Sequence, residues 1–144
     1  MKIRIKKMRE GAILPAYQSS GAAGFDFCAA LAKPVVIKPG EMEVIPTGVA
    51  VEIPAGYELQ VRPRSGLAFK FRVLPVNAIG TIDADYRGEI LVGLANNGRE
   101  NFVVEPGMRI AQGIVAKVTR VEWQEVRELS ETVRGEGGFG STGK

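Results

Sequence analysis

Histidine is absent from the 144 residues of this sequence. Nucleophilic catalysis by Ser–His or Cys–His pairs, and metal sites built on histidine, are therefore excluded. A general base must come from another residue type, and Asp, Glu, Tyr and Lys are the candidates. The single cysteine, Cys28, excludes an internal disulfide and a zinc site made from several cysteines.

Long hydrophobic runs are also absent. Cations interrupt the apolar residues that follow Met1, so the start of the chain does not have the pattern of a secretory signal; they are Lys2, Arg4, Lys6 and Lys7. No segment approaches the roughly 18 apolar residues that a membrane-spanning helix needs. We therefore expect a cytoplasmic protein with no membrane partner.

The formal net charge of +3 is small, but the cations are clustered. One cluster is KIRIKKMR near the start of the chain, and another is RPRSGLAFKFR at 62–72. Such clusters fit either a basic cleft for an anionic ligand or the solvated faces of strands.

Short apolar segments that alternate with polar residues dominate the sequence. In YELQVR, Tyr57, Leu59 and Val61 share one face of a predicted strand. EILVGLA at 89–95 is apolar on both faces, which predicts a strand buried on two sides. Turn signals separate these segments at roughly 8–12-residue spacing, which predicts an all-β sandwich, barrel or jelly roll. Only GLAFKF at 66–71 favours a short helix.

The last residues differ in composition from the rest. From 134 to 144, five of eleven residues are glycine, and Phe139 is the only apolar side chain. Such a segment buries too little apolar surface to order itself. We therefore predict one domain over residues 1–133 and a flexible tail over residues 134–144.

Three stretches carry polar groups that a plain β-sandwich does not need. In RPRSG, the Arg64 guanidinium, the Ser65 hydroxyl and the Gly66 N–H suit phosphate oxygens, although a hairpin turn with a solvated arginine is the alternative. If the strand through GTIDADYRGEI persists, Asp83 and Asp85 share one face. Such a pair of carboxylates could be a base and a metal ligand, and the alternative is that both are simply turn residues.

The tail is the third such stretch. Arg134, Ser141, Thr142 and several backbone N–H groups are phosphate donors, and Phe139 offers a flat face on which a base could stack. A disordered tail without function is the alternative.

Together these stretches resemble the trimeric deoxyuridine triphosphatase (dUTPase) family, and the resemblance covers nearly the whole chain. Five motifs occur in the order of that family: AGFDFCA at 23–29, PRSGLA at 63–68, NAIGTIDADYRGEI at 77–90, RIAQGIV at 109–115 and RGEGGFGSTG at 134–143.

The resemblance implies a β jelly roll that assembles as a homotrimer, with each active site built from motifs of all three subunits. It implies hydrolysis of dUTP to dUMP and pyrophosphate with Mg²⁺, by water attack on the α-phosphorus. That reaction keeps uracil out of DNA and supplies dUMP for thymidylate synthesis. The expected partners are dUTP and copies of the same chain, without nucleic acid.

The resemblance also assigns roles to residues. Asp83 matches the carboxylate that activates the attacking water, and Tyr86 matches the ring that leaves no room for a 2′-hydroxyl group. Asn77 and a hairpin through Gly80 and Ile82 match the uracil pocket. Asp26 matches an acidic residue that holds magnesium through water. The remaining substrate contacts match positions Arg64, Ser65, Gly66, Gln112, Arg134, Phe139, Gly140, Ser141 and Thr142.

Four positions depart from the usual pattern of the family. Phe71 and Arg72 stand where His-Gly is frequent, Ile79 replaces a common proline, and Gly113 replaces a larger apolar residue. A deoxycytidine triphosphate deaminase-like enzyme and a non-catalytic nucleotide-binding module share the fold and remain as alternatives. A structural β-sandwich would leave the five motifs unexplained.

Overall fold

Short β-strands form most of the regular structure in the computed structural model, which describes residues 1–139. One helix, α1 (Ser65–Phe71), follows the seventh strand. No helix in this part of the chain has the length and hydropathy to span a membrane. The strands are β1 (Arg4–Lys7), β2 (Ala16–Tyr17), β3 (Phe25–Cys28), β4 (Val35–Ile37), β5 (Met42–Pro46), β6 (Val49–Glu52), β7 (Tyr57–Arg62), β8 (Val73–Pro75), β9 (Gly80–Ile82), β10 (Leu91–Asn96), β11 (Phe102–Val104) and β12 (Arg109–Lys117).

The strands form antiparallel sheets around one apolar core. The largest sheet has the order β2-β3-β12-β7-β9, and a second sheet has the order β5-β10-β8. Two further pairs, β1-β6 and β11-β4, complete the layers. The connections cross between sheets, since β3 pairs with β12 and β5 pairs with β10. The fold is the predicted all-β jelly roll.

The alternating pattern of YELQVR is confirmed in β7. Leu59 and Val61 are 1% and 4% exposed and belong to the core, whereas Glu58, Gln60 and Arg62 point to the other face and are half-buried. The helix predicted within GLAFKF is also present as α1. In both segments the local pattern agrees with the burial that the tertiary structure imposes.

The unusual Gly113 is explained by two aromatic rings. A Cβ atom at position 113 would lie 2.4 Å from the ring of Phe25 and 2.7 Å from the ring of Phe27. These rings contact each other edge to face, with centroids 5.5 Å apart. They fill the volume that a larger side chain on β12 would need, so the loss of volume at position 113 is compensated within the same sheet.

The departure at positions 71 and 72 has a local cost and a local compensation. Arg72 ends helix α1 with φ 58° and ψ 30°, the left-handed conformation that glycine adopts most easily. Its N–H bonds back to the carbonyl of Ala68, which completes the helix end. The ring of Phe71 packs against that of Phe102 with centroids 5.3 Å apart.

The prediction that EILVGLA is buried on two sides is wrong for the single chain. Val92 and Leu94 face the core, but Leu91 on the opposite face is 50% exposed. In the neighbouring strand β5, Met42 and Val44 are 48% and 52% exposed on the same side. We call this surface the outer apolar face. The sheet β5-β10-β8 covers the core with one face, while the apolar side chains on its other face are about half exposed.

The segment after β12 is also poorly covered. Residues 118–133, which we call the C-terminal arm, form no strand or helix. Four large apolar side chains of the arm are strongly exposed: Val121 (63%), Trp123 (90%), Leu129 (87%) and Val133 (111%). An isolated exposed apolar side chain is ordinary, but a series of them along one arm indicates a surface that another molecule covers.

Candidate active site

A row of polar side chains crosses the outward face of the largest sheet. Gln112 in β12 lies opposite Asp26 in β3 on one side and opposite Arg62 in β7 on the other. Since residues opposite one another in a sheet project to the same face, these groups are neighbours. Arg64 follows β7 and extends the row beyond the end of the strand.

Asp26 is the centre of an ion cluster. Its Oδ1 accepts a hydrogen bond from Arg64 Nε at 3.1 Å, and its Oδ2 accepts one from Arg109 Nη1 at 3.1 Å. The Arg64 Nη1 also donates to the carbonyl of Arg109 at 2.9 Å. The Asp26 side chain is only 12% exposed. Its hydrogen bonds to both guanidinium groups hold it in place. The cluster carries a net positive charge, which favours an anionic ligand.

Arg109 was not among the residues predicted from the sequence. Its sequence signal is its position as the first residue of the RIAQGIV motif, in which the family resemblance assigns a role only to Gln112. The antiparallel register of β12 with β3 places Arg109 opposite Cys28 and next to Asp26. Because that neighbourhood depends on a pairing between residues some eighty positions apart, inspection of the motif alone could not reveal it.

Gln112 contacts the turn that carries Arg64. Its Nε2 donates to the carbonyl of Pro63 at 2.9 Å. Its Oε1 lies above Gly24, where an added Cβ would come within 2.8 Å of that oxygen. Gly24 thus leaves room for the amide, and the amide fixes the turn before Arg64. In this arrangement Gln112 positions a phosphate-binding candidate as well as lying beside the predicted phosphate site.

Ser65 and Gly66 begin helix α1, with Arg64 in the preceding N-cap position. Both residues are exposed. The N–H groups in the first turn of a helix have no partner within that helix. The structure therefore presents these residues at the surface beside the Asp26 cluster.

The thiol of Cys28 lies beside the same cluster. Burial, and to a smaller extent the carboxylate of Asp26, raise the pKa of the Cys28 thiol, while Arg109 and Arg64 oppose that shift. The thiol therefore stays protonated at neutral pH and is a poor nucleophile. Cys28 is a packing residue of this site and takes no part in the proposed chemistry.

The donor set fits a magnesium ion that arrives with phosphate oxygens. Among residues 1–139, no cluster of three or more Cys, Asp or Glu side chains could hold a metal ion by itself. An ionised carboxylate has about four acceptor sites, and the two guanidinium groups leave Asp26 with further capacity. Since Mg²⁺ keeps several waters and takes few protein ligands in nucleotide sites, one carboxylate beside candidate phosphate-binding residues is a suitable set.

The predicted uracil-binding residues lie in or just before an edge strand. Strand β9 ends the largest sheet, where it pairs with β7, and no other strand within the described residues pairs with its second edge. The backbone groups on that edge are available to a ligand. A Cβ atom at Gly80 would lie 3.0 Å from Nδ2 of Asn77, so the glycine allows the Asn77 amide to approach β9 closely.

The prediction of a paired hairpin through Gly80 and Ile82 needs correction. Strand β8 pairs with β10, whereas β9 pairs with β7. The tight turn between β8 and β9, in which the Ala78 N–H donates to the Pro75 carbonyl at 3.0 Å, therefore links two different sheets. Each strand already has a partner elsewhere, so the two do not form a ladder with each other.

Asp83 begins a turn directly after β9. The N–H of Tyr86 donates to the carbonyl of Asp83 at 3.1 Å, and both residues are exposed. The condition under which Asp83 and Asp85 would share one face of a strand is not met, since the strand ends at Ile82. The alternative assignment of these aspartates as turn residues is correct for the backbone.

Asp83 and the phosphate-binding candidates lie far apart within one chain. Ile82 is opposite Leu59, so Asp83 lies near the beginning of β7, whereas Arg64 follows the end of β7. Most of the length of β7 separates them, and a strand of six residues spans roughly 16 Å. A base must come within about 3 Å of the proton that it accepts. One chain alone does not bring the two groups to a single reacting centre.

The predicted tail residues do not meet either group in this structure. Arg134 and Phe139 are exposed, and Phe139 has 114% relative exposure. The Arg134 guanidinium donates to the carbonyl of Gly137 at 2.7 Å, which closes a local turn. Gly140, Ser141 and Thr142 lie outside the described residues.

Comparisons with known proteins agree on one family. The family model described as dUTPase matches residues 10–143. A deoxyuridine 5′-triphosphate nucleotidohydrolase from Nautilia profundicola is 55% identical over 144 residues and is covered completely, as is this chain. The enzyme of that name from Rickettsia felis is 53% identical over 143 residues, with 99% of this chain and 97% of the relative covered.

Solved structures give the same result. A structure of Staphylococcus bacteriophage 80alpha dUTPase with dUPNHPP has a TM-score of 0.90 and 29% identity, with 99% of each chain covered. A variant of the dUTPase from phage phi11 of S. aureus, described with a structural Mg(II) ion, has a TM-score of 0.81 and 25% identity, covering 89% of this chain and 98% of that one.

Proposed function

The chain belongs to the dUTPase family, and we propose that its residues hydrolyse dUTP to dUMP and pyrophosphate with Asp83 as the base. Membership of this family makes the protein a dUTP-cleaving enzyme. The observation that carries the residue assignment is the position of Asp83, which begins an exposed turn directly after the edge strand β9. A nucleoside whose base binds that edge would hold its α-phosphate beyond the strand end, where Asp83 lies.

Asp83 would accept a proton from the attacking water. Its side chain is exposed in the free chain, and its backbone carbonyl is held by the N–H of Tyr86. Attack at the α-phosphorus forms the new P–O bond of dUMP and breaks the bond to the pyrophosphate leaving group. The turn thus fixes the position of the base while leaving the carboxylate free to orient water.

The free edge of β9 explains how uracil would be selected. Uracil presents one N–H donor between two carbonyl acceptors, and backbone groups on a strand edge supply the complementary donors and acceptors. The amino group of cytosine would place a donor where uracil has an acceptor. Asn77, whose amide lies close to Gly80, would complete this pocket. The Tyr86 ring would pack on the deoxyribose and exclude a 2′-hydroxyl group.

The Asp26 cluster would bind the phosphate chain. The guanidinium of Arg64, together with Ser65 and the backbone of Gly66, would take phosphate oxygens. Asp26 would hold magnesium through water, and the ion would neutralise part of the negative charge on the phosphates. The tail residues Arg134, Phe139, Gly140, Ser141 and Thr142 would close over the bound nucleotide.

The separation of these groups supports a homotrimer with shared sites. Asp83 and Arg64 lie at opposite ends of β7, so a site that uses both is completed by residues of another copy. The outer apolar face and the exposed apolar side chains of the C-terminal arm, such as Trp123, supply surfaces for that assembly. The cytoplasmic location stays a prediction.

We expect pyrophosphate release to be fast with dUTP and much slower with dCTP, dTTP and UTP. The strand edge would reject the amino group of dCTP, and the close-fitting base pocket would reject the methyl group of dTTP. The Tyr86 ring would reject the 2′-hydroxyl group of UTP. The measurement is pyrophosphate and nucleoside monophosphate formation for the four substrates in the presence of Mg²⁺. Ammonia release from dCTP would favour the deaminase alternative, and nucleotide binding without turnover would favour the non-catalytic module.

A further inference from the structure

We propose that Gly88 and Glu89 are positioning residues that hold the Tyr86 ring in the place where it excludes a 2′-hydroxyl group. The inference rests on the proposed function of Tyr86 in sugar selection. Neither residue is expected to touch the nucleotide. Their effect would be on which sugar the site accepts.

Gly88 provides the space in which the Tyr86 ring lies. A Cβ atom at position 88 would be 2.3 Å from Oη of Tyr86, 2.5 Å from Cζ and 3.0 Å from Cε2. Contacts as short as the first two cannot exist between these atoms, so any side chain at position 88 displaces the ring. Gly88 is not among the glycines with positive φ. Its backbone therefore does not require glycine, whereas the ring above it does.

The hydroxyl group fixes the far end of the ring. Oη of Tyr86 donates a hydrogen bond to the backbone carbonyl of Glu89 at 3.0 Å. At the near end, the N–H of Tyr86 bonds to Asp83. A tyrosine side chain has only two rotatable torsions, so the hydrogen bond at its tip and the close approach to Gly88 restrict the positions that the ring can take.

Glu89 anchors the carbonyl that receives this bond. Its Oε1 accepts a hydrogen bond from the N–H of Gly48 at 2.8 Å, and its Oε2 accepts one from Nη2 of Arg9 at 2.5 Å. The Glu89 side chain is 15% exposed, and the following N–H, from Ile90, donates to the carbonyl of Val49 at 2.9 Å. The acceptor of the Tyr86 hydroxyl is thereby tied to the turn between β5 and β6, which belongs to the core.

A fixed ring and a mobile ring reject a hydroxyl group to different degrees. A Tyr86 ring that is held at both ends cannot move aside when a ribose binds, so the 2′-hydroxyl group clashes with it. A ring that has lost one support can move and admit the larger sugar. The supports should therefore change the ratio of kcat/KM for dUTP to that for UTP more than they change kcat for dUTP.

The first test replaces Gly88 with alanine. We expect Gly88→Ala to lower the dUTP-to-UTP ratio of kcat/KM about tenfold, near the lower end of the effect of one methylene group in a close-fitting pocket. Gly21→Ala is the matched control, because a Cβ at Gly21 meets no atom within 4 Å and its φ is not positive. That variant should keep the wild-type ratio. An unchanged ratio in Gly88→Ala would overturn the proposal.

A double-mutant comparison separates positioning from general damage. In the Tyr86→Ala background there is no ring to displace, so Gly88→Ala should change the ratio less than about twofold, since the two effects are coupled. An equal change in both backgrounds would show that Gly88 acts elsewhere and would contradict the proposal. Wild type that does not hydrolyse dUTP would instead refute the proposed function itself.

Glu89 offers an independent variant if Gly88→Ala fails to fold. Glu89→Gln keeps an oxygen that accepts the Gly48 N–H, whereas Glu89→Ala removes it. We expect the glutamine variant to retain most of the selectivity and the alanine variant to lose it, with the melting temperature measured for both. Loss of thermal stability in Glu89→Ala at full sugar selectivity would assign Glu89 a purely structural role.

Discussion

Asp83→Asn is expected to lower dUTP turnover by about 10²–10⁴-fold, the usual contribution of a general base. An amide has nearly the shape of the carboxylate but cannot accept the proton of the attacking water. Asparagine also suits the first position of a turn, so the turn from Asp83 to Tyr86 should persist. Affinity for a non-hydrolysable dUTP analogue should therefore stay close to that of the wild type.

Asp85→Asn is the matched control for this substitution. Asp85 lies in the same exposed turn and has no proposed role. Single-turnover rates and analogue affinities of both variants should be compared with those of the wild type. The assignment of Asp83 would be wrong if its variant kept near-normal turnover, or if Asp85→Asn lost as much.

Deletion of residues 134–144 is expected to lower turnover on the order of 100-fold or more, which is the size of effect that loss of precise substrate positioning produces. Closure of the tail would bring Arg134 and other donors to the phosphates and would exclude water that competes with them. The fold should survive, because Arg134 and Phe139 are exposed and the hydrogen bonds around Arg134 are local. The melting temperature of the truncated chain should therefore change little.

A milder variant tests the part of the tail that contacts the base. Phe139→Ala should weaken nucleotide affinity by about 1–3 kcal/mol, the contribution of stacking between an aromatic ring and a base. Val36→Ala, at an exposed apolar residue of β4 outside both the arm and the proposed site, is the control. Full turnover after truncation would make the tail dispensable, and a collapsed melting temperature would make it part of the fold.

The sequence was sufficient for features that depend on local pattern. The alternation in YELQVR correctly predicted the buried side of β7, because Leu59 and Val61 are separated by the two-residue period of a strand. The short helix at Ser65–Phe71 was also predictable. The family resemblance depended on the order of five motifs, and the family model and relatives confirm it.

Other features depend on contacts between distant residues, and the sequence pattern could not supply them. The pattern of EILVGLA predicts a strand buried on two sides, but only one face of β10 is covered within the described residues, and Leu91 is half exposed. The role of Arg109 could not be predicted from its motif, because its partner Asp26 lies on another strand. The space above Gly88 is visible only once the Tyr86 ring is placed.

The length of β7 between Asp83 and Arg64 supports the central claim, that one dUTP site is assembled from different copies of the chain. Subunits carrying Asp83→Asn should be mixed with subunits carrying Arg64→Ala during assembly, and dUTP turnover of the mixture should be measured. Each variant alone should be nearly inactive. In a random mixture about a quarter of the sites would combine an intact Asp83 from one copy with an intact Arg64 from another.

The control mixture combines Asp83→Asn subunits with subunits that carry both substitutions, because no site in it contains an intact Asp83. The turnover of the first mixture relative to this control therefore shows whether one site uses residues of different copies. We predict recovery of a substantial fraction of wild-type turnover in the first mixture and none in the control. Equal inactivity of the two mixtures, with mixed assembly verified, would mean that Asp83 and Arg64 act within one chain and would contradict the account.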